Sequence, residues 1–179
     1  MNENVAIANL ISVITAGFAA RAVPVGIKQS YQPVQQGAPS LPTIFLHKIS
    51  DNEYGFPQRK DVWNATSGAM NHTENQWIET TYQVNATTTQ DPSNTTQLTA
   101  GDYVKTTARI LGSDVAVVAL TALGIGIMRI QKITNTFFTN ERSQYEASPS
   151  FDFTISYVFS EMTVEPSATT LVGTVIEIL

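Results

Sequence analysis

The apolar residues of the opening segment, Ile7, Leu10, Ile11, Ile14 and Phe18, recur at three- and four-residue spacing. That spacing predicts an amphipathic helix, capped by Asn2 or Asn4. The pattern then changes. Pro24 to Tyr31 (PVGIKQSY) predicts a short strand, QPVQQGAPSLP a Pro/Gly/Gln connector, and Thr43 to Ile49 (TIFLHKI), apolar and β-branched, a buried strand. The stretch 50–75 shows neither helical nor alternating period and predicts a long loop. From Gln76 to about Thr88 alternation returns, with Ile78, Thr80, Tyr82 and Val84 on one side and Trp77, Glu79, Thr81 and Gln83 on the other. One face of this strand packs and the other stays wet.

Thr99, three residues before Asp102, forms a capping box with an acid in place of Glu, with Leu98 and Tyr103 as the staple and Gly112 as the C′ glycine. Ser113 caps a second, short helix, DVAVVALTAL, which Gly124 ends. IGIMRIQKI (Ile125 to Ile133) predicts a further strand. In FDFTISYVFSEMTV (Phe151 to Val164), Phe151, Phe153, Ile155, Tyr157 and Phe159 share one face, while Asp152, Thr154, Ser156 and Ser160 share the other. The final LVGTVIEIL predicts an edge strand or an arm at 170–179. Grouped strands that do not alternate with helices imply an α+β class: a mostly antiparallel sheet with the N-terminal helix and the central helix pair on one face.

Composition narrows what such a fold does. At 179 residues, 1–179 is expected to form a single domain. Only 14% of residues are charged, so Thr, Ser, Asn and Gln must build much of the surface. The formal charge is −5 and no Lys/Arg cluster marks a nucleic-acid footprint. After Ile133 the acids are Glu141, Glu146, Asp152, Glu161, Glu165 and Glu177, against Arg142 alone, so one face or rim should be negative. The absence of cysteine excludes disulfides and thiolate chemistry. Asn-x-Thr triplets begin at Asn64, Asn71, Asn85 and Asn94, as expected by accident in a Thr/Asn-rich chain. The opening segment lacks the basic region of a signal peptide, and no stretch suits a membrane span.

Candidate chemistry is sparse. His47 and His72 do not form a ligand pair at helical spacing; Asp51 with Glu53, and Glu161 with Glu165, read as solvated acids. The Gly-x-Gly at Gly124 to Gly126 follows a helix instead of opening one, so it has no helix N-terminus with which to hold phosphate. No catalytic, cofactor-binding or metal site is assigned, and an enzyme is not expected. Tyr54 and Trp63, aromatic residues in a polar stretch, are candidates either for anchoring that stretch or for a subunit interface.

The order of elements and several strings resemble the tail terminator (tail completion, or neck) proteins of tailed bacteriophages. The matching pieces are VPVGIKQSYQPVQQGAPSLPTIFLHKI after the first helix, TTYQVNA before TAGDYVKTTARIL, GSDVAVVALTALGIGIMRI, and NERSQYEASPSFDFTISYVFSEMTV. The ETTYQVNATTTQDPSNT turn is longer and richer in Thr than the family's pattern, and TTLVGTVIEIL is more strand-like. The resemblance implies a virion structural protein, made in the host cytoplasm and placed at the head-tail junction. It would form a ring, usually a hexamer, that caps the tail tube protein and meets a head-completion or connector protein. DNA would pass through the lumen without specific binding, Glu141, Glu146, Glu161 and Glu165 facing it; no membrane is involved. The rival readings are a head-completion protein of the neck and a secreted Thr/Asn-rich adhesin.

Overall fold

The computed structural model describes residues 1–30, 41–89, 91, 93–139 and 145–166; for 137–139, 145–147 and 166 only the backbone is described. Helix α1 (Glu3–Ala19) is capped by Asn2, whose side chain accepts from the Val5 N–H. It buries Ile7, Leu10, Ile14 and Phe18, so the sequence period gives the packed face directly. Strand β1 (Gly26–Gln29) follows, then two long strands, β2 (Thr43–Asn64) and β3 (Ala69–Thr87). Helices α2 (Ala100–Leu111) and α3 (Asp114–Ala122) lead to β4 (Ile125–Ile130), β5 (Thr134–Thr139) and β6 (Tyr145–Pro166).

The strands form one sheet in the order β1-β2-β3-β6-β4, with β5 also paired to β6. Every pairing is antiparallel except β1 with β2. On one face Ile44, Leu46, Tyr82, Val84, Phe151, Phe153, Ile155 and Tyr157 join α1, α2 and Leu120 of α3 in a single apolar core. Tyr82 and Phe153 are direct cross-strand partners whose rings stack at 5.7 Å. Among the described residues no element covers the other face. Its side chains pair with one another instead, as Thr81 does with Thr154 at 3.1 Å and Gln83 with Asp152 at 3.1 Å.

The α+β class and its helix-covered sheet are as the sequence predicts, including the capping box of Thr99 and Asp102. The long loop expected at 50–75 is corrected: β2 and β3 run through it as a hairpin, closed by a turn at 65–68. Its side chains follow no simple alternation because β2 loses register twice, between Lys48 and Ser50 and between Tyr54 and Gln58. Further differences are local. Gly112 is the C-cap of α2 at φ −83°, not a left-handed C′ residue; β4 stops at Ile130; and β5 is added. Ser156 is buried because β4 crosses it at Gly126. The arm expected at 170–179 lies outside the described residues.

Two of the Asn-x-Thr triplets have a conformational origin. The Asn64 side chain accepts from the Thr66 N–H at 3.0 Å, tightening the hairpin turn, and that of Asn94 accepts from the Thr96 N–H at 3.1 Å. Asn followed by a hydroxyl residue is turn chemistry at both places.

Candidate assembly surface

Beyond Gln76 on β3 the helices end and the sheet continues as three strands, β2, β3 and β6, out to Asn64, Ala69 and Pro166. The limit is marked by the N-terminus of α1: the Met1 ammonium donates to the Val158 carbonyl at 2.8 Å, and Glu3 pairs with Lys48 at 2.8 Å. Lys48 also pairs with Asp51, and the hydrogen bonds to both acids raise its pKa against the opposing effect of burial. Seven residues of β3, Ala69–Asn75, project past Gln76, which at strand rise is an arm of roughly 23 Å.

Register assigns the arm's two faces. Arg59, Asp61 and Trp63 of β2 lie beside Glu74, His72 and Met70 of β3, and these beside Glu161, Thr163 and Glu165 of β6. On the reverse face are Lys60, Val62, Thr73, Asn71, Met162 and Val164. Glu74 and Glu161 are direct partners, a like-charge pair that would oppose pairing on its own. Arg59 offsets it, its Nε donating to Glu74 at 2.9 Å, and the His72 ring lies between Asp61 and Glu74, with Nε2 3.2 Å from the Glu74 carboxylate. The hydrogen bond to Asp61, then that to Glu74, raises the His72 pKa above its ordinary value.

Gln76 closes the arm's root. Its side chain is buried and its amide donates to the carbonyls of Tyr54, at 2.7 Å, and Gly55, at 3.2 Å. It therefore holds the β2 irregularity in place. Tyr54 is 53% exposed and Trp63 52%, so neither anchors the stretch in the core. The structure does not bring them together: Tyr54 pairs with Trp77 on the reverse face, and Trp63 with Met70 on the acidic one. The Tyr54 hydroxyl bonds to Glu79, which raises its pKa. Glu165 is exposed near the arm's tip and Glu161 near its root, while the side chains of Glu141 and Glu146 lie outside the described residues.

Sequence reasoning missed Phe56, 96% exposed, and the exposed flank of α3, where Val115 is 82% and Val118 68% exposed. A signal existed for both. Gly55 and Pro57 bracket Phe56, and DVAVVALTA is too uniformly apolar for a helix that buries one face. The arrangement offers side chains for packing and pairing, and among the described residues no group of three His, Asp or Glu has the arrangement of a metal site.

The site is thus an α+β sheet with helices on one face that carries an arm of charged side chains and bare apolar residues, Phe56, Val115 and Val118 among them. The chain belongs to the family described as the E217 gateway protein gp29, a phage family whose model matches residues 6–166. The resemblance to phage tail terminators agrees with that membership. Among solved structures, the "PVC sheath/tube terminator in extended state" of an extracellular contractile injection system aligns with a TM-score of 0.46 and 11% identity. The alignment takes in 97% of this chain and 64% of that one, so this chain spans under two thirds of that protein's length. No curated protein matches the chain.

Proposed function

We infer that the chain is a virion structural protein that assembles with copies of itself into a ring, six-membered, at the end of the tail tube. There it joins the tube to the head connector at the neck. The observation that carries this reading is the arm: three strands that leave the body with both faces and two strand edges unoccupied among the described residues. Exposed strand edges are a liability that a soluble monomer blunts, and a partner uses them. The bare flank of α3 and the family membership support it further.

The 1–179 chain acts in this reading as one domain, and its acidic arm suits a channel that DNA must cross. Basic groups there would grip phosphates by a salt-sensitive attraction. Glu161 and Glu165 of the arm, with Glu141 and Glu146, are the acids assigned to the lumen in this reading.

The test is to mix purified protein with tail tubes and image the mixture by negative stain. Rings seated on tube ends are expected. Protein that never associates with tubes, but binds isolated portal complexes, would assign it to head completion instead.

A further inference from the structure

Phe56 is the most exposed large apolar side chain among the described residues, and its backbone shows why. Gly55 has φ +71°, a conformation that L side chains rarely adopt, and Pro57 has no N–H to give to a ladder. The resulting bulge turns Phe56 out of the sheet, and the buried Gln76 amide pins the carbonyls that precede it. A benzyl group held in water by a pinned bulge calls for a socket.

A socket exists at the other end of the molecule. Thr15, Phe18, Ala19, Ala22, Val23, Pro24 and Val25 line an open, mostly apolar hollow of about 360 Å³ where α1 turns into β1. Ala22, at φ 55°, is the only non-glycine with positive φ among the described residues, so this turn too is held in an uncommon shape. Gly26, next to the hollow, pairs with Thr43, and Phe56 lies 13 positions further along β2. That separation is roughly 40 Å at strand rise. A chain cannot fill its own hollow.

Charge gives the same direction. The hairpin 50–79 holds five carboxylates, Asp51, Glu53, Asp61, Glu74 and Glu79, against Arg59 and Lys60, a net of −3 with His72 neutral. Outside 50–79 and 160–166, the described side chains hold seven Lys/Arg against five acids, a net of +2, and between Glu3 and Asp51 there is no acid at all. Arg21 and Lys28 flank the hollow in sequence, and Lys105 and Arg109 lie on α2, which crosses α1 where Ile110 meets Gly17.

We propose that Phe56 of one copy inserts into the α1–β1 hollow of a second copy, the acidic β2–β3 hairpin lying along that copy's basic end and Glu161 and Glu165 of β6 left facing the lumen. The contact is heterologous, knob to socket, so it repeats from copy to copy and closes into a ring where the rotation allows. It rests on the ring reading above and supplies that ring's contact.

The native chain has no cysteine, so Gln58→Cys, two positions from an intact Phe56, and Ala19→Cys introduced together create one reporting pair. The full-length double variant is mixed with tail tubes and treated with a short bismaleimide. A ladder of linked copies ending at the closed species is expected; each single variant should give none, and the two singles mixed should give only linked pairs. Phe56→Ala should lower the assembled fraction at least tenfold at fixed concentration without shifting the monomer's Tm. Rings that form while the double variant never links, Gln58→Cys alone linking to itself, or linkage to the tube protein in place of a sibling would overturn this contact and leave the ring standing. Double-variant and native protein that both stay monomeric with tubes present would overturn the contact and the ring together.

Discussion

Gly17 shows how a single residue sets the helix layer. A Cβ built there would lie 2.5 Å from Cγ2 of Ile110 and 3.0 Å from two more of its side-chain atoms, and Ile110 is buried and β-branched. Helix propensity favours alanine over glycine by about 1 kcal/mol, whereas overpacking a core costs about 1–3 kcal/mol. Packing therefore wins. Gly17→Ala is expected to lower stability by about 1–2 kcal/mol in denaturant unfolding, despite the better helix former. His72 carries the second prediction at this scale. Asp61 first and Glu74 second favour its protonated form in the folded arm. Because the folded pKa lies above the unfolded value of about 6.5, the stabilisation is complete below that value and is lost as pH rises through the folded pKa. An NMR titration of the imidazole should show its midpoint above the ordinary value, and Asp61→Asn should move it down. An unchanged midpoint in that variant would mean that Asp61 is not the main cause.

Among the elements, α2 is the one whose ends are written most plainly. Thr99 and Asp102 exchange both capping-box bonds, with the Thr99 N–H donating to the Asp102 carboxylate at 3.0 Å. Thr99→Ala should cost about 1 kcal/mol, measured as a lower midpoint in urea at unchanged slope. The Thr99 N–H holds the Asp102 pKa below its ordinary value, so that part of the cap's contribution is present above the unfolded pKa and fades as pH falls through the folded one. The same element shows what was legible in the sequence: caps, the β3 and β6 alternation and the α1 stripe all depend on neighbours within a few residues. The arm was not legible. Its strands carry no apolar face because no helix covers them, so the period that identifies a strand is missing from 50–75, and two register shifts in β2 scramble what remains. Tyr54 and Trp63 were legible as aromatic residues in polar surroundings; nine positions apart they fall on opposite faces once one strand runs through both, because the irregularity between Tyr54 and Gln58 sets four residues against two and keeps the alternation.

For the whole molecule, the separation of charge, a net of −5 over 50–79 with 160–166 against +2 over the other described side chains, matters more than the total of −5. In the proposed ring, acids of the arm facing the DNA path should keep phosphates moving. Replacing Glu161 and Glu165 with Lys is expected to slow DNA ejection from otherwise normal virions at low salt, with recovery at high salt. Unchanged kinetics at every salt concentration would place both residues away from the channel. The central claim, that this chain is the ring that ends the tail tube, is met most directly by a cryo-EM map of the intact virion neck. The account predicts six copies of this chain in one closed ring on the last layer of the tube, each arm reaching a neighbouring copy. A map that places the chain elsewhere in the particle, or as isolated copies that do not touch one another, would contradict it.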